Sequence, residues 1–156
     1  MSTGEGACEL CAGMGGELVY QDAMLRVVLV GDADYPGFCR VIWNAHVSEM
    51  SDLDQDARAH LMQAVWQVEA ALREVLAPHK INLASLGNQV PHLHWHVIPR
   101  FADDAHFPAP VWAQARRALA PAVRASRAAL LPALRLAILR YAGRAPGPQQ
   151  PGVSHE

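Results

Sequence analysis

What the 156-residue chain lacks narrows it first. No apolar run reaches the roughly 20 residues that a membrane-spanning helix needs. The opening Met1-Ser2-Thr3-Gly4-Glu5-Gly6 has no charged segment leading into an apolar one, so a secretory leader is not expected either. Cysteine is scarce. Three residues, an odd number, make a poor disulfide framework and suit a reducing compartment. Together these absences lead us to expect a cytoplasmic protein with no membrane partner. A strong excess of one charge is also missing, for the formal net charge is −2. Such a balance does not suit a nucleic-acid binder, and nucleic acid is not an expected partner. The charge is uneven along the chain: residues 1–104 hold 14 Asp/Glu against 6 Lys/Arg, and residues 105–156 hold 7 Arg against Glu156. Two readings follow, a basic segment lying against an acidic body or a tail that contacts anionic partners.

What is present suits one ordinary domain. At 51% apolar residues the chain can bury a core. Gly13, Gly15 and Gly16 mark a turn. Three β-rich runs follow, at residues 17–21, 24–30 and 38–43, parted by a turn at Asp22-Ala23 and a loop at 31–37. In that loop Asp32 and Asp34 read as an acidic turn, and Cys39 in the third run reads as a small core residue. A helix opens at Ser51-Asp52-Leu53-Asp54, with Ser51 as N-cap and Asp54 three residues on. Leu53, Ala57, Leu61, Ala64, Val65, Val68, Leu72 and Leu76 recur at the helical period, and Pro78 stops the run. Residues 80–86 form a fourth strand, and Gly87-Asn88-Gln89-Val90 turns into a fifth. Prolines prevent regular structure after Phe107. Val123, Leu130, Leu134 and Ile138 predict an amphipathic helix that is kinked or restarted at Pro132. Residues 144–156, rich in Pro and Gly, read as disordered. This order predicts an α+β fold with a mainly antiparallel sheet and the long helix on one face.

The chemistry concentrates in His92-Leu93-His94-Trp95-His96. Eight of the 156 residues are His, and three at alternate positions would arise by chance about 2% of the time. Alternation is the period of a strand, so the three imidazoles share one face. Nothing structural asks for His three times, since Thr or Gln would serve a solvent face as well. In an extended strand the outer two stand roughly 13 Å apart, too far to share one zinc without strain. A line of imidazoles suits phosphate better: one neutral nitrogen attacks phosphorus while another donates a hydrogen bond or a proton. His94, flanked on both sides, is the natural nucleophile.

His92-Leu93-His94-Trp95-His96-Val97-Ile98 resembles the motif of the histidine triad (HIT) family, His-φ-His-φ-His-φ-φ with φ apolar, and Pro99-Arg100 is common after it. The resemblance covers residues 8–112. It implies a HIT domain over residues 1–112; outside it the chain reads as a helical extension at 113–143 and the tail at 144–156. It also implies a five-stranded sheet, a homodimer, and a nucleotide hydrolase or transferase. In that family the middle His attacks the α-phosphate of a nucleotide, and water cleaves the nucleotidyl-histidine. The role maps onto His94, with His96 stabilising the phosphate or protonating the leaving group. His92, Asn88, Gln89 and Asn82 are the expected nucleotide-binding and phosphate-binding residues. Implied substrates are nucleoside phosphoramidates, adenylylated amines and dinucleoside polyphosphates, with no catalytic cofactor. Phe38 stands where many members have a His after Pro-Gly. Trp112 is a base-stacking residue or a hydrophobic anchor. The alternatives are a non-catalytic nucleotide-binding module of the same fold and a metallohydrolase, the latter disfavoured because the triad strand has no Asp or Glu.

Cys8-Glu9-Leu10-Cys11 on its own leaves three readings open: a redox pair, half a zinc site, or two small core residues. Several HIT members carry such a pair and hold a structural zinc with it. The resemblance then assigns Cys8, Cys11, His46 and His92 as a closed Cys₂His₂ set.

Overall fold

The computed structural model describes residues 8–144. Its strands are β1 (Glu17–Gln21), β2 (Leu25–Leu29), β3 (Cys39–Trp43), β4 (Lys80–Ala84) and β5 (His94–Arg100). They form one antiparallel sheet in the order β1-β2-β3-β5-β4. The helices are α1 (Glu9–Ala12), α2 (Gln55–Leu76), α3 (Pro121–Ala128) and α4 (Leu131–Ala142). The predicted α+β architecture is present, with five strands as the resemblance implied.

Strand alternation and register sort the side chains onto two faces. Residues opposed across an antiparallel ladder share a face. Arg40 is opposed to His96 and Ile42 to His94, while Arg26 is opposed to Ile42. This face therefore carries His94, His96, Arg26, Arg40 and Arg100. The other carries Leu25, Val27, Val41, Trp43 and Val97, which pack into the main core with Leu61, Val65, Val68 and Leu72 of α2. The long helix takes the apolar face and leaves the histidine face to loops. The predicted stripe on α2 is buried apart from the half-buried Ala57.

Three local details depart from expectation. First, the triad strand begins at His94. His92 lies ahead of the strand, where its N–H donates to the Val90 carbonyl at 2.8 Å, and it is fully buried. Second, Ser51 does not cap α2. Met50–Asp52 form a single 3-10 turn closed by a capping box between Glu49 and Asp52, and Asp54 caps α2 by accepting from the Ala57 N–H at 2.8 Å. The Asp52 carboxylate also accepts from the Ser48 and Glu49 N–H groups, and such local bonds compete with helix. Third, β2 and β4 stop at Leu29 and Ala84, short of the runs read from the sequence.

The C-terminal helical material divides as Pro132 predicted. That proline sits in the first turn of α4, where its missing N–H has no intrahelical partner to lose. Leu134, Ala137 and Ile138 of α4 join the main core beside α2, whereas Leu130 is exposed. Arg124 pairs with Asp34, Arg127 with Asp103, Arg135 with Glu17 and Arg140 with Glu74. The basic segment thus lies against the acidic body. Of the tail expected at 144–156, residues 145–156 lie outside the described residues. Among the described residues, no helix is long and apolar enough to cross a membrane.

Candidate active site

Alternation along β5 places His94 and His96 on one face, ring centroids 4.9 Å apart, and both are buried. His94 donates its Nδ1–H to the His92 carbonyl oxygen at 2.5 Å. A carbonyl oxygen only accepts, so a proton sits on Nδ1, and the tautomer this bond selects is the one whose lone pair is on Nε2. The Ser85 hydroxyl donates to the His94 carbonyl at 2.8 Å and fixes the strand from the other side. His96 packs edge-on between Phe38 and Trp112, with centroids at 5.7 and 5.2 Å. Burial first, then the positive fields of His94 and Arg40, bring its pKa down to about 4. It is therefore a neutral imidazole at pH 7, and its Nδ1 has no hydrogen-bond partner among the described residues.

The two histidines line a cavity of about 380 Å³ together with Arg40, Asn88, Gln89 and Trp112. Asn88 and Gln89 thus border the same cavity as the two histidines. Trp112, half exposed, forms a wall. Asn82 shares the face but not the cavity. Its Oδ1 accepts from Arg100 Nη1 at 2.7 Å, and it lines a neighbouring groove that meets the cavity at Trp112.

His92 turns away from this pair. Its Nε2–H donates to the Trp43 carbonyl at 2.6 Å, so its Nδ1 lone pair points elsewhere. That Nδ1 lies 3.4 Å from both Cys8 Sγ and Cys11 Sγ and 3.2 Å from His46 Nδ1, and Cys11 Sγ lies 3.3 Å from His46 Nδ1. All four ligand atoms fall within 4.8 Å of one another, an arrangement able to hold a metal ion. Arg26 holds the cysteine segment down by donating to the carbonyls of Leu10, Gly13 and Met14. The chain then crosses the sheet at Gly15 and Gly16, both at positive φ. A Cβ at Gly16 would stand 2.4 Å from the Leu29 carbonyl oxygen, so glycine alone permits the approach.

Comparison with known proteins agrees with this geometry. Residues 14–103 match the family model described as the HIT domain. The chain belongs to the HIT family. A histidine triad protein of Bradyrhizobium japonicum is 32% identical, with a TM-score of 0.65 over 78% of this chain and 91% of that one. A Zn-bound histidine triad family protein of Mycobacterium smegmatis shares the fold at 20% identity and a TM-score of 0.60, covering 86% of this chain and 94% of that one. Among curated proteins, an AP-4-A phosphorylase of Mycobacterium tuberculosis is 33% identical over 78 residues, 46% of this chain and 40% of that protein's length. The chain thus spans well under half of that relative.

Two features of this HIT site escaped the sequence reading. One is Arg40, a single charge inside the apolar run of β3. Strand charges recur as Arg26 in β2 and Arg100 at the end of β5, and alternation with antiparallel pairing sends all three to the histidine face. The other is the buried pair of Arg100 and Asp104. Arg100 donates to both Asp104 oxygens at 2.8 and 3.1 Å and to the Ala109 carbonyl at 2.6 Å. Asp104 also accepts from the Tyr35 hydroxyl at 3.1 Å, while His106 contacts that hydroxyl at 2.6 Å. Burial alone would raise the Asp104 pKa. The bonds from Arg100 and from the N–H groups of Phe101, His106 and Phe107 outweigh it and bring it to about 2. This pair anchors the segment that carries Trp112 to the end of β5.

Proposed function

We propose that this HIT protein is a nucleotide hydrolase or transferase acting at the α-phosphate of nucleotide conjugates through a nucleotidyl-His94 intermediate. The observation that carries this reading is the bond from His94 Nδ1–H to the His92 carbonyl, which selects the tautomer with Nε2 as nucleophile. Nε2 attacks phosphorus, and the bond to the leaving group breaks with its electron pair on the leaving atom, a phosphate chain departing as an anion and an amine taking a proton from solvent. Water then attacks phosphorus, the P–N bond breaks with its pair returning to Nε2, and a proton passes to solvent as nucleoside monophosphate departs. His96, neutral at pH 7, holds a phosphoryl oxygen through an N–H hydrogen bond rather than protonating the leaving group. Asn88 and Gln89 supply further donors beside it. The M. tuberculosis relative's name supports dinucleoside polyphosphates among the substrates.

The four-residue cluster fits a structural zinc. Bonds of about 2.3 Å to sulfur and 2.0 Å to nitrogen at tetrahedral angles put S and N about 3.5 Å apart and two N about 3.3 Å apart, close to the separations found here. Cys8, Cys11, His46 and His92 would hold the ion, tying α1 to the sheet. A homodimer is supported by the open edge of β4, beside which Leu83 and Leu86 are exposed.

The test is intact-protein mass spectrometry after brief mixing with adenosine phosphoramidate and quenching at alkaline pH. The expected result is an adenylyl adduct on the wild type, none on His94→Ala, and AMP released by the wild type. No adduct and no AMP, from either the phosphoramidate or diadenosine tetraphosphate, would replace this reading with a nucleotide-binding module.

A further inference from the structure

Three arginines lie on the histidine face, and their hydrogen bonding differs. Arg26 donates to three carbonyls and to Asn44 Oδ1. Arg100 donates to Asp104, Asn82 and the Ala109 carbonyl. Both are occupied in holding the fold. Arg40 is opposed to His96 across the β3–β5 ladder and lines the same cavity as His94. Among the described residues its one bond runs from Nη1 to the Gly15 carbonyl at 3.1 Å, and its Nε is buried without a partner. A guanidinium carries five N–H donors and a permanent charge. Leaving such donors unmet in a half-buried wall is unfavourable unless a ligand meets them. The carboxylate that also lines the cavity, Glu9, acts on Arg40 through its charge but makes no hydrogen bond or ion pair with it among the described residues, and it is exposed to solvent.

We propose that Arg40 is a specificity-determining residue that binds the phosphates beyond the one attacked, so that the site selects conjugates whose leaving group is a phosphate chain over those whose leaving group is an amine. The inference rests on the nucleotidyl-transfer reading above. A guanidinium fork matches phosphate oxygens in shape and charge and gives nothing comparable to an amine. The neutral state of His96 agrees, since an amine must gain a proton to leave whereas a phosphate chain departs as an anion.

The experiment compares wild type, Arg40→Gln and Arg40→Lys on diadenosine tetraphosphate and adenosine phosphoramidate, with thermal unfolding as a check on folding. The ratio of kcat/KM values, polyphosphate over phosphoramidate, should fall at least about 10-fold in Arg40→Gln and less in Arg40→Lys, which keeps the charge without the fork. Equilibrium binding of ATP and AMP to the same proteins reads the residue without turnover, and the preference for ATP should fall in parallel. A selectivity ratio within about 3-fold of wild type, with the ATP preference intact, would overturn the role of Arg40 and leave the transfer reading standing. Should Arg40→Gln fail to fold, Arg40→Lys decides by the same two readings. Wild-type protein that turns over neither substrate would sink the transfer reading, and the ATP-to-AMP comparison would then decide on Arg40 alone.

Discussion

His92 supplies the carbonyl that receives the Nδ1 proton of His94, at 2.5 Å, so the first residue of the triad orients the second through its backbone. His94→Ala removes the oriented nitrogen without touching that carbonyl. Its kcat should fall by at least about 10³, or roughly 4 kcal/mol of barrier. Steady-state AMP release measures this, and near-normal turnover would place the nucleophile elsewhere.

His92 also faces Cys8, Cys11 and His46 through its side chain, which predicts about one zinc per chain by elemental analysis. Cys11→Ser should lower that content. A strong chelator should lower the unfolding midpoint by at least about 5 °C, with zinc restoring it, because ion binding adds directly to folding free energy. Turnover measured well below the new midpoint should survive, since His94 needs no metal.

Stability should depend on pH through His96. Its folded pKa of about 4 lies below the ordinary value of 6.5. Between these values the unfolded chain binds the extra proton, so stability rises with pH across the window and is lost as pH falls from 6.5 to 4. The swing is at most about 3 kcal/mol. Urea unfolding at a series of pH values should show a slope in this window that is smaller in His96→Gln. Equal slopes would place the protonation elsewhere.

Asp104 acts in a lower window and with the opposite kind of group. Its contribution is present above about 3.8 and lost as pH falls through about 2. Asp104→Asn leaves Arg100 buried without its counter-charge, and should cost about 3–5 kcal/mol in denaturant unfolding at pH 7. A loss under 1 kcal/mol would show that Asn82 and the Ala109 carbonyl suffice for Arg100.

The extension should prove integral to the core. Leu134 is fully buried with α2 residues, so Leu134→Ala should destabilise by about 2–5 kcal/mol. Urea midpoints at constant m test this, and a change below 1 kcal/mol would mean that α4 detaches readily.

Much of this was legible because period and position determine it. The α2 stripe, the turn at Asp22, and the restart at Pro132 follow from local chemistry, and Cys39 is buried as read, its thiol pushed up to about 12 by burial. Alternation put His94 and His96 on one face, and they stand so in β5. Other details depend on contacts distant in sequence. His92 leaves the strand because its ring is wanted at Trp43 and the cysteines. The cap moved from Ser51 to Asp54 through a competition among neighbouring carboxylates that composition does not rank. Arg40 acquired its meaning only when β3 paired with β5, a register no single run of residues specifies.

Helix α1 is one turn long. On one side it presents Cys11 to His46 and His92, and on the other its first residue, Glu9, forms part of the wall around Arg40 and the histidines. The cysteine cluster and the histidine cavity therefore meet on a single turn of backbone, sharing a wall without sharing a ligand atom.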